Sequence, residues 1–220
     1  MGYSILSIIE NQIVQYFVTS IDEVKSLYGV DSNSMVIEAE NEIEYTQIKH
    51  HDELKDNLCQ TFPGYLAEEA FVEDCLNNNI IIEKINQSKS NFIQYIKHAG
   101  KISIKRPDYI IVGEKVAIEV KARNIKFYNN RNVVGIDIRD FKKYKNFQDV
   151  FNMKVYFAFY ELDSEYKLIK DSLKMISINE IAKGANDNII KCATSYMMYY
   201  ESLTPGIELL NNFRLTTAST

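Results

Sequence analysis

Residues 105–124 read KRPDYIIVGEKVAIEVKARN, and two acids and a lysine, Asp108, Glu119 and Lys121, interrupt what is otherwise an apolar hairpin. Residues 107–112 and 115–122 are rich in β-branched and aromatic types, and Gly113-Glu114 between them suits a two-residue type II′ turn led by glycine. With Val112 paired to Lys115, Ile110 falls opposite Ala117, Asp108 opposite Glu119 and Arg106 opposite Lys121, all on one face. A three-residue loop over 113–115 would instead shift the register by one and set Asp108 against Val120. The other face carries Tyr109, Ile111, Val116, Ile118 and Val120, which suits a core.

Two carboxylates directly opposite one another on a sheet repel. A divalent cation offsets that repulsion, because hard ions such as Mg²⁺ take oxygen ligands and are commonly held by one or two carboxylates plus substrate phosphate. Lys121 lies two residues beyond Glu119 and so shares its face. There it can orient a water or stabilise charge on a phosphate oxygen.

The pair Pro107-Asp108, followed after ten residues by Glu119-Val120-Lys121, resembles the PD-(D/E)XK nuclease superfamily of restriction endonucleases, resolvases and repair nucleases. The resemblance implies an α/β fold with a restriction endonuclease-like core, a central mixed β-sheet flanked by helices. It implies a metal-dependent nuclease that hydrolyses DNA phosphodiester bonds. Asp108 and Glu119 would hold Mg²⁺ or Mn²⁺, with the Val120 carbonyl as a further ligand, and Lys121 would position the attacking water. The family draws another acid from a helix ahead of the hairpin. In PGYLAEEAFVEDCLNNN, residues 63–79, Pro63-Gly64 predict the start of a helix and the Asn run its end. Glu68 shares a helical face with Phe71, Val72 and Cys75 and stands in a Gly-x-x-x-Glu spacing similar to many family members, so it is carried over, with Glu69 as the alternative. Residues 137–162, DIRDFKKYKNFQDVFNMKVYFAFYEL, predict a helix over 138–151 and a strand over 154–162, as the family's core requires. The resemblance spans roughly residues 64–162.

Composition fits an ordinary globular chain, with 46% hydrophobic and 25% charged residues among 220. No apolar run approaches the roughly 18 residues that span a bilayer. The opening MGYSILSIIENQIVQYF lacks a positive leader and is interrupted by Glu10, so the expectation is a cytoplasmic protein. Cys59, Cys75 and Cys192 are odd in number and widely spaced, which supports neither disulfides nor a metal cluster. The net charge of −5 is unevenly placed. Residues 1–96 hold 5 Lys and Arg against 16 Asp and Glu, whereas residues 97–145 hold 13 against 5. The basic excess surrounds the acid pair, where a polyanion would approach.

Three regions are expected: an acidic α+β elaboration over 1–60, the nuclease core over 61–165, and a C-terminal extension over 166–220. The first reads as strands over 12–20 and 35–49 with a helix over 21–28. Its EAENEIEY, residues 38–45, is either a charged strand edge or a surface that docks on the basic one. Residues 80–85 predict a strand, followed by a helix capped by Ser90 and stopped at Gly100. KARNIKFYNNRNVVG, residues 121–135, reads as a polar loop: either surface only, or a nucleic-acid contact in which Arg123, Lys126 and Arg131 meet phosphates or base edges and Phe127 and Tyr128 stack on unpaired bases. Lys142 and Lys143 are further phosphate candidates, while Phe141, Tyr144 and Phe147 form a core-facing stripe. Residues 186–213 read as an apolar helix broken near Pro205-Gly206, packing on the core or forming a homodimer interface. The tail 214–220 is expected to lack structure. Alternatives to a DNA nuclease are a nuclease-fold protein without activity that binds nucleic acid or a protein partner, and an RNA nuclease.

Overall fold

The computed structural model of the 220-residue chain describes residues 2–9, 12–20, 23, 34–39, 51–87, 89–163, 168–183 and 188–213. Three strands, β1 (Gly2–Ile9), β2 (Gln12–Val18) and β3 (Ser34–Ala39), form an antiparallel sheet in the order β2-β1-β3. β1 was not anticipated from the sequence. Apart from Glu23, the expected 21–28 helix lies outside the described residues, as do residues 40–50 of the acidic stretch and the 214–220 tail.

Helix α1 (His51–Asn77) begins well ahead of the expected start and carries Pro63 in its interior. Proline in a helix interior usually breaks it, which is why the sequence pointed to a start there. Packing overrides that cost: Ala67, Phe71 and Cys75, four residues apart on one face, are fully buried in the core. After α1 come β4 (Ile82–Lys84), α2 (Lys89–Ala99), β5 (Tyr109–Ile111) and β6 (Val116–Asn124). Ser90 falls inside α2 rather than ahead of it, while Gly100, at φ +66°, ends the helix as expected.

Strands β7 (Lys126–Tyr128) and β8 (Arg131–Asp137) make a hairpin where the sequence reading placed a polar loop. Asn129 and Asn130 take φ of 50° and 60°, the left-handed pair that a two-residue type I′ turn requires and that asparagine tolerates. Helix α3 (Ile138–Phe151) and strand β9 (Lys154–Leu162) fall where the sequence put them. The Asp137 carboxylate caps α3 by accepting the Arg139 N–H at 2.6 Å, and Asn152 closes it in the left-handed conformation.

The C-terminal region corrects the helical expectation. It comprises β10 (Lys174–Ser177), α4 (Ile178–Ala182), β11 (Ile189–Lys191), β12 (Ser195–Tyr199), a 3₁₀ turn (Tyr200–Ser202), β13 (Thr204–Pro205) and the short α5 (Gly206–Asn211). The Met/Tyr cluster pairs as a strand with β8. Such cross-strand packing, unavailable to a local reading, decides β structure. Met198 and Tyr200 enter the core.

A six-stranded mixed sheet runs β13-β10-β9-β6-β5-β4, with β6 and β9 parallel and the other neighbours antiparallel. A four-stranded sheet runs β11-β12-β8-β7. β6 and β9 are buried on both faces. Val116, Ile118, Val120 and Ala122 of β6 pack under α1, while Ala117, Val155, Phe157 and Phe159 pack with α3. The Tyr160 hydroxyl donates to Asp74 at 2.5 Å, tying α1 to β9.

The type I′ turn yields the first prediction. Asn130→Gly should be tolerated, whereas Asn130→Val places a β-branched residue at positive φ and should cost roughly 1–2 kcal/mol locally. Faster amide exchange across residues 126–134 in the valine variant alone would register that cost.

Candidate functional site

The β5–β6 ladder pairs Tyr109 with Ile118, Ile110 with Ala117 and Ile111 with Val116, the register read from the sequence. It is shorter than expected. Residues 112–115 form the connection, with Gly113 at φ +88° and the Glu114 N–H donating to the Ile111 carbonyl at 3.1 Å. The turn is therefore not type II′ at Gly113-Glu114, and Val112 and Lys115 fall outside the ladder. At the other end, pairing stops at Tyr109. The Asp108 N–H donates to the Ile118 carbonyl at 2.9 Å, and its carboxylate accepts the Val120 N–H at 2.8 Å.

Glu119 and Lys121 project from the face of β6 that looks toward α3, beside Phe157 and Phe159 of β9. Glu119 is 2% exposed. A carboxylate so buried needs partners, and its Oε1 has one in the Lys121 ammonium. Its Oε2 has none. Burial disfavours the Lys121 ammonium, yet the charges of Glu119 and Asp108 and the hydrogen bond to Glu119 outweigh that and hold it above the ordinary lysine value. Burial also drives the Asp108 carboxyl well above the usual carboxylate range. Glu119 and Glu68 push the same way, while Lys121 and the Val120 N–H oppose them.

The approach to Asp108 is held by polar contacts from several elements. The Gln87 amide donates to the Pro107 carbonyl at 2.9 Å, the Asn146 amide to the Ser103 carbonyl at 2.8 Å, and the Ile85 N–H to the Asp108 carbonyl at 2.8 Å. Arg106 does not stand opposite Lys121. Its guanidinium is buried, donates to the Asn86 carbonyl at 2.5 Å and the Asn91 side chain at 3.0 Å, and lies 4.6 Å from the centroid of the Phe92 ring. The strand pair ends before reaching it, leaving Arg106 free to clamp that segment.

Gln87, Phe92, Lys105, Arg106, Asp108, Glu119 and Tyr144 line a cleft of about 210 Å³. Tyr144 is the residue that sequence reasoning missed. Its ring occupies the expected core stripe of α3, fully buried. Its hydroxyl makes no hydrogen bond of good geometry but closely faces the Glu119 side chain, and burial, the Glu119 and Asp108 charges and this interaction together raise its pKa. The available signal was a tyrosine set between Phe141 and Phe147, since a phenol placed in a core normally has a polar purpose. The Lys105 ammonium lies 5.4 Å from the Tyr144 ring centroid and is salt-bridged to Asp140 at 2.8 Å.

Arg123, two residues beyond Lys121, belongs to this face and not to a loop. Burial lowers its pKa while Glu119, Tyr144 and Asp140 counter that. Glu68 sits elsewhere, on α1 across the sheet. The Lys84 ammonium lies 3.1 Å from the Glu68 carboxylate and the Tyr109 hydroxyl donates to it at 3.4 Å, while the Glu68 charge still reaches Asp108. Glu69 is not among the charges acting on Asp108. Lys126 and Arg131 are exposed on the β7–β8 hairpin, with the Arg131 guanidinium 3.6 Å from the Tyr199 ring centroid. Lys142 is exposed and Lys143 partly so on α3.

Among the described residues, no group of three His, Cys, Asp or Glu side chains is placed to hold a metal ion. The Asp108–Glu119 pair nevertheless fits a Mg²⁺-type ion, which takes one or two carboxylates and completes its shell with water and substrate oxygens. The Glu119 Oε2 is an oxygen donor without a hydrogen bond and lines the same cleft as Asp108. No described helix is long and apolar enough to cross a membrane.

The sequence matches no protein-family model and no curated protein. Among solved structures, the chain is similar to Archaeoglobus fulgidus Hjc, a Holliday junction resolvase from an archaeal hyperthermophile, at 11% identity and a TM-score of 0.44, covering 67% of this chain and 99% of that one. A likeness of that strength leaves the functional reading to the residues themselves.

The raised Asp108 carboxyl has a sign. Below the unfolded aspartate value, near 3.9, both folded and unfolded chains carry the proton and nothing is lost. As pH rises through the raised folded value, the folded state must bear the charge and loses stability. Asp108→Asn should therefore melt above the wild type at pH 8 in EDTA, with the gap closing toward pH 4. Thermal melts across that range check it.

Proposed function

We propose that the protein is a metal-dependent nuclease that hydrolyses DNA phosphodiester bonds, a member of the PD-(D/E)XK superfamily. One observation carries this reading: the buried Glu119 carboxylate, one oxygen held by Lys121 and the other unpartnered, at a cleft it shares with Asp108. A purely structural ion pair gains nothing from a second carboxylate alongside, since like charges raise the cost of burial.

In this reading Asp108 and Glu119 hold Mg²⁺ or Mn²⁺, with the Val120 carbonyl as a further ligand. Glu68, engaged by Lys84 and Tyr109, acts through water. The ion supplies a water of lowered pKa and screens the phosphate. Lys121 stays protonated through the neutral range, orients the attacking water and stabilises charge on a non-bridging phosphate oxygen. The Val120 N–H fixes the Asp108 carboxylate, and the Gln87 and Arg106 contacts fix the segment leading to it. Arg123, Lys126, Arg131, Lys142 and Lys143 bind backbone phosphates. The acidic first sixty residues and the C-terminal extension are elaborations on this core. A second copy of the chain would provide the second site that cutting both strands requires.

The test is incubation of the purified chain with supercoiled, linear and single-stranded DNA, and with RNA, in Mg²⁺, Mn²⁺ or EDTA. Cutting of DNA should need metal and vanish in Glu119→Gln. Lys121→Ala should slow it roughly 10²- to 10³-fold, the scale of losing one charge-stabilising donor. Calorimetry should show Mn²⁺ bound by the wild type and lost in Glu119→Gln. No cutting of any substrate together with no Mn²⁺ bound would overturn the reading, and cutting of RNA alone would move it to a ribonuclease.

A further inference from the structure

Phe127 is 72% exposed, more than any other large apolar side chain among the described residues. A single exposed aromatic needs no explanation, but this one has a defined setting. Phe127 pairs across the β7–β8 hairpin with Asn132. Two-residue steps along β8 from Asn132 reach Val134 and Ile136, both buried in the core with Phe141, Phe157 and Phe159. Phe127 thus continues the core-facing side of the hairpin past the point where the core ends. That core layer is the one into which Glu119 and Lys121 project. The other side of the tip carries Lys126, Tyr128 and Arg131, and the Arg131 guanidinium, 3.6 Å from the Tyr199 ring centroid, anchors it.

Reach and charge agree with this placement. Phe127 lies six residues beyond Lys121, at most about 20 Å along an extended chain. Between the acid pair and the ring the strand carries Lys121 and Arg123 on the face of Glu119, with Lys126 and Arg131 on the other side of the hairpin. Residues 120–136 contain no acid, although Glu201 accepts the Asn132 N–H at 3.3 Å. Cations along this stretch suit a phosphate backbone. Bases inside a duplex already have both faces stacked. An exposed ring on this hairpin gains stacking only from a base that is unpaired.

We propose that Phe127 is a stacking platform for an unpaired base, so that the substrate is nucleic acid with a single-stranded segment beside the phosphate to be cut. This rests on the nuclease reading and names its substrate class.

The chain contains no tryptophan, so Phe127→Trp installs its only indole at the tip, excited to the red of the tyrosines. In EDTA, a single-stranded DNA oligonucleotide should quench that fluorescence and its blunt duplex should not. Phe127→Ala should weaken single-strand binding roughly 5- to 100-fold, leave duplex affinity and melting temperature unchanged, and be rescued by Phe127→Tyr. Equal single-strand affinity for Phe127→Ala and the wild type, or equal quenching by duplex, would overturn the proposal while leaving the nuclease reading intact if the wild type still cuts DNA in metal. A wild type that binds neither single strand nor duplex and cuts nothing would remove both.

Discussion

A negative charge fixed in the floor of a β-sheet sets the terms for everything around it. Glu119 sits in β6 next to Phe157, on a strand flanked on both sides, and is 2% exposed. A lone charge there would be untenable. Lys121, two residues on and on the same face, supplies the counter-charge within the strand itself, so the pair needs no distant element to meet it. What remains is asymmetric: one carboxylate oxygen satisfied, one not, and a second acid, Asp108, sharing the cleft. The asymmetry is what makes the site a candidate for chemistry, since an ion pair kept only for stability would have every lone pair filled.

The surrounding architecture explains why the acids cannot move apart. Asp108 lies where the β5–β6 ladder ends, with its N–H, its carbonyl and one carboxylate oxygen all engaged by neighbouring backbone. The segment before it is tied to residues just ahead of α2 and within it, and to α3. On the far face, α1 buries Phe71 against Tyr109 and so fixes the strand that carries Asp108. α3 closes the near face with Phe141, Tyr144 and Phe147. Of these, Tyr144 brings a hydroxyl, and it arrives at the same cleft as the unpartnered carboxylate oxygen.

Beyond Lys121 the same strand leads through Arg123 to the hairpin, so one continuous stretch of chain carries the acid, the lysine and, among the described residues, the most exposed large apolar ring. Position along the strand does what separate domains do in larger proteins. The basic character of residues 97–145, hidden in the total by an acidic N-terminal region, is shared by the segment 97–106, this stretch and α3.

The local sequence alone determined the β5–β6 register, α3, β9 and the shared face of Glu119 and Lys121, because each depends on residues close together in the chain: alternation of period two, a 3.6-residue apolar stripe, an i, i+2 spacing. Even there it misjudged the turn, where Gly113 takes its positive φ one step away from the position assumed. Tertiary structure alone decided the rest. Pro63 stands inside a helix because Ala67, Phe71 and Cys75 bury against the sheet. The Met/Tyr cluster near residue 197 is a strand because β8 is there to pair with it. Arg106 turned to Asn86 and Phe92 once the ladder stopped short of it, and Glu68 engages Lys84 and Tyr109 while its charge reaches Asp108. In each case the outcome turned on which partner, far off in sequence, arrived within a few ångströms, and pattern within a window carries no such information.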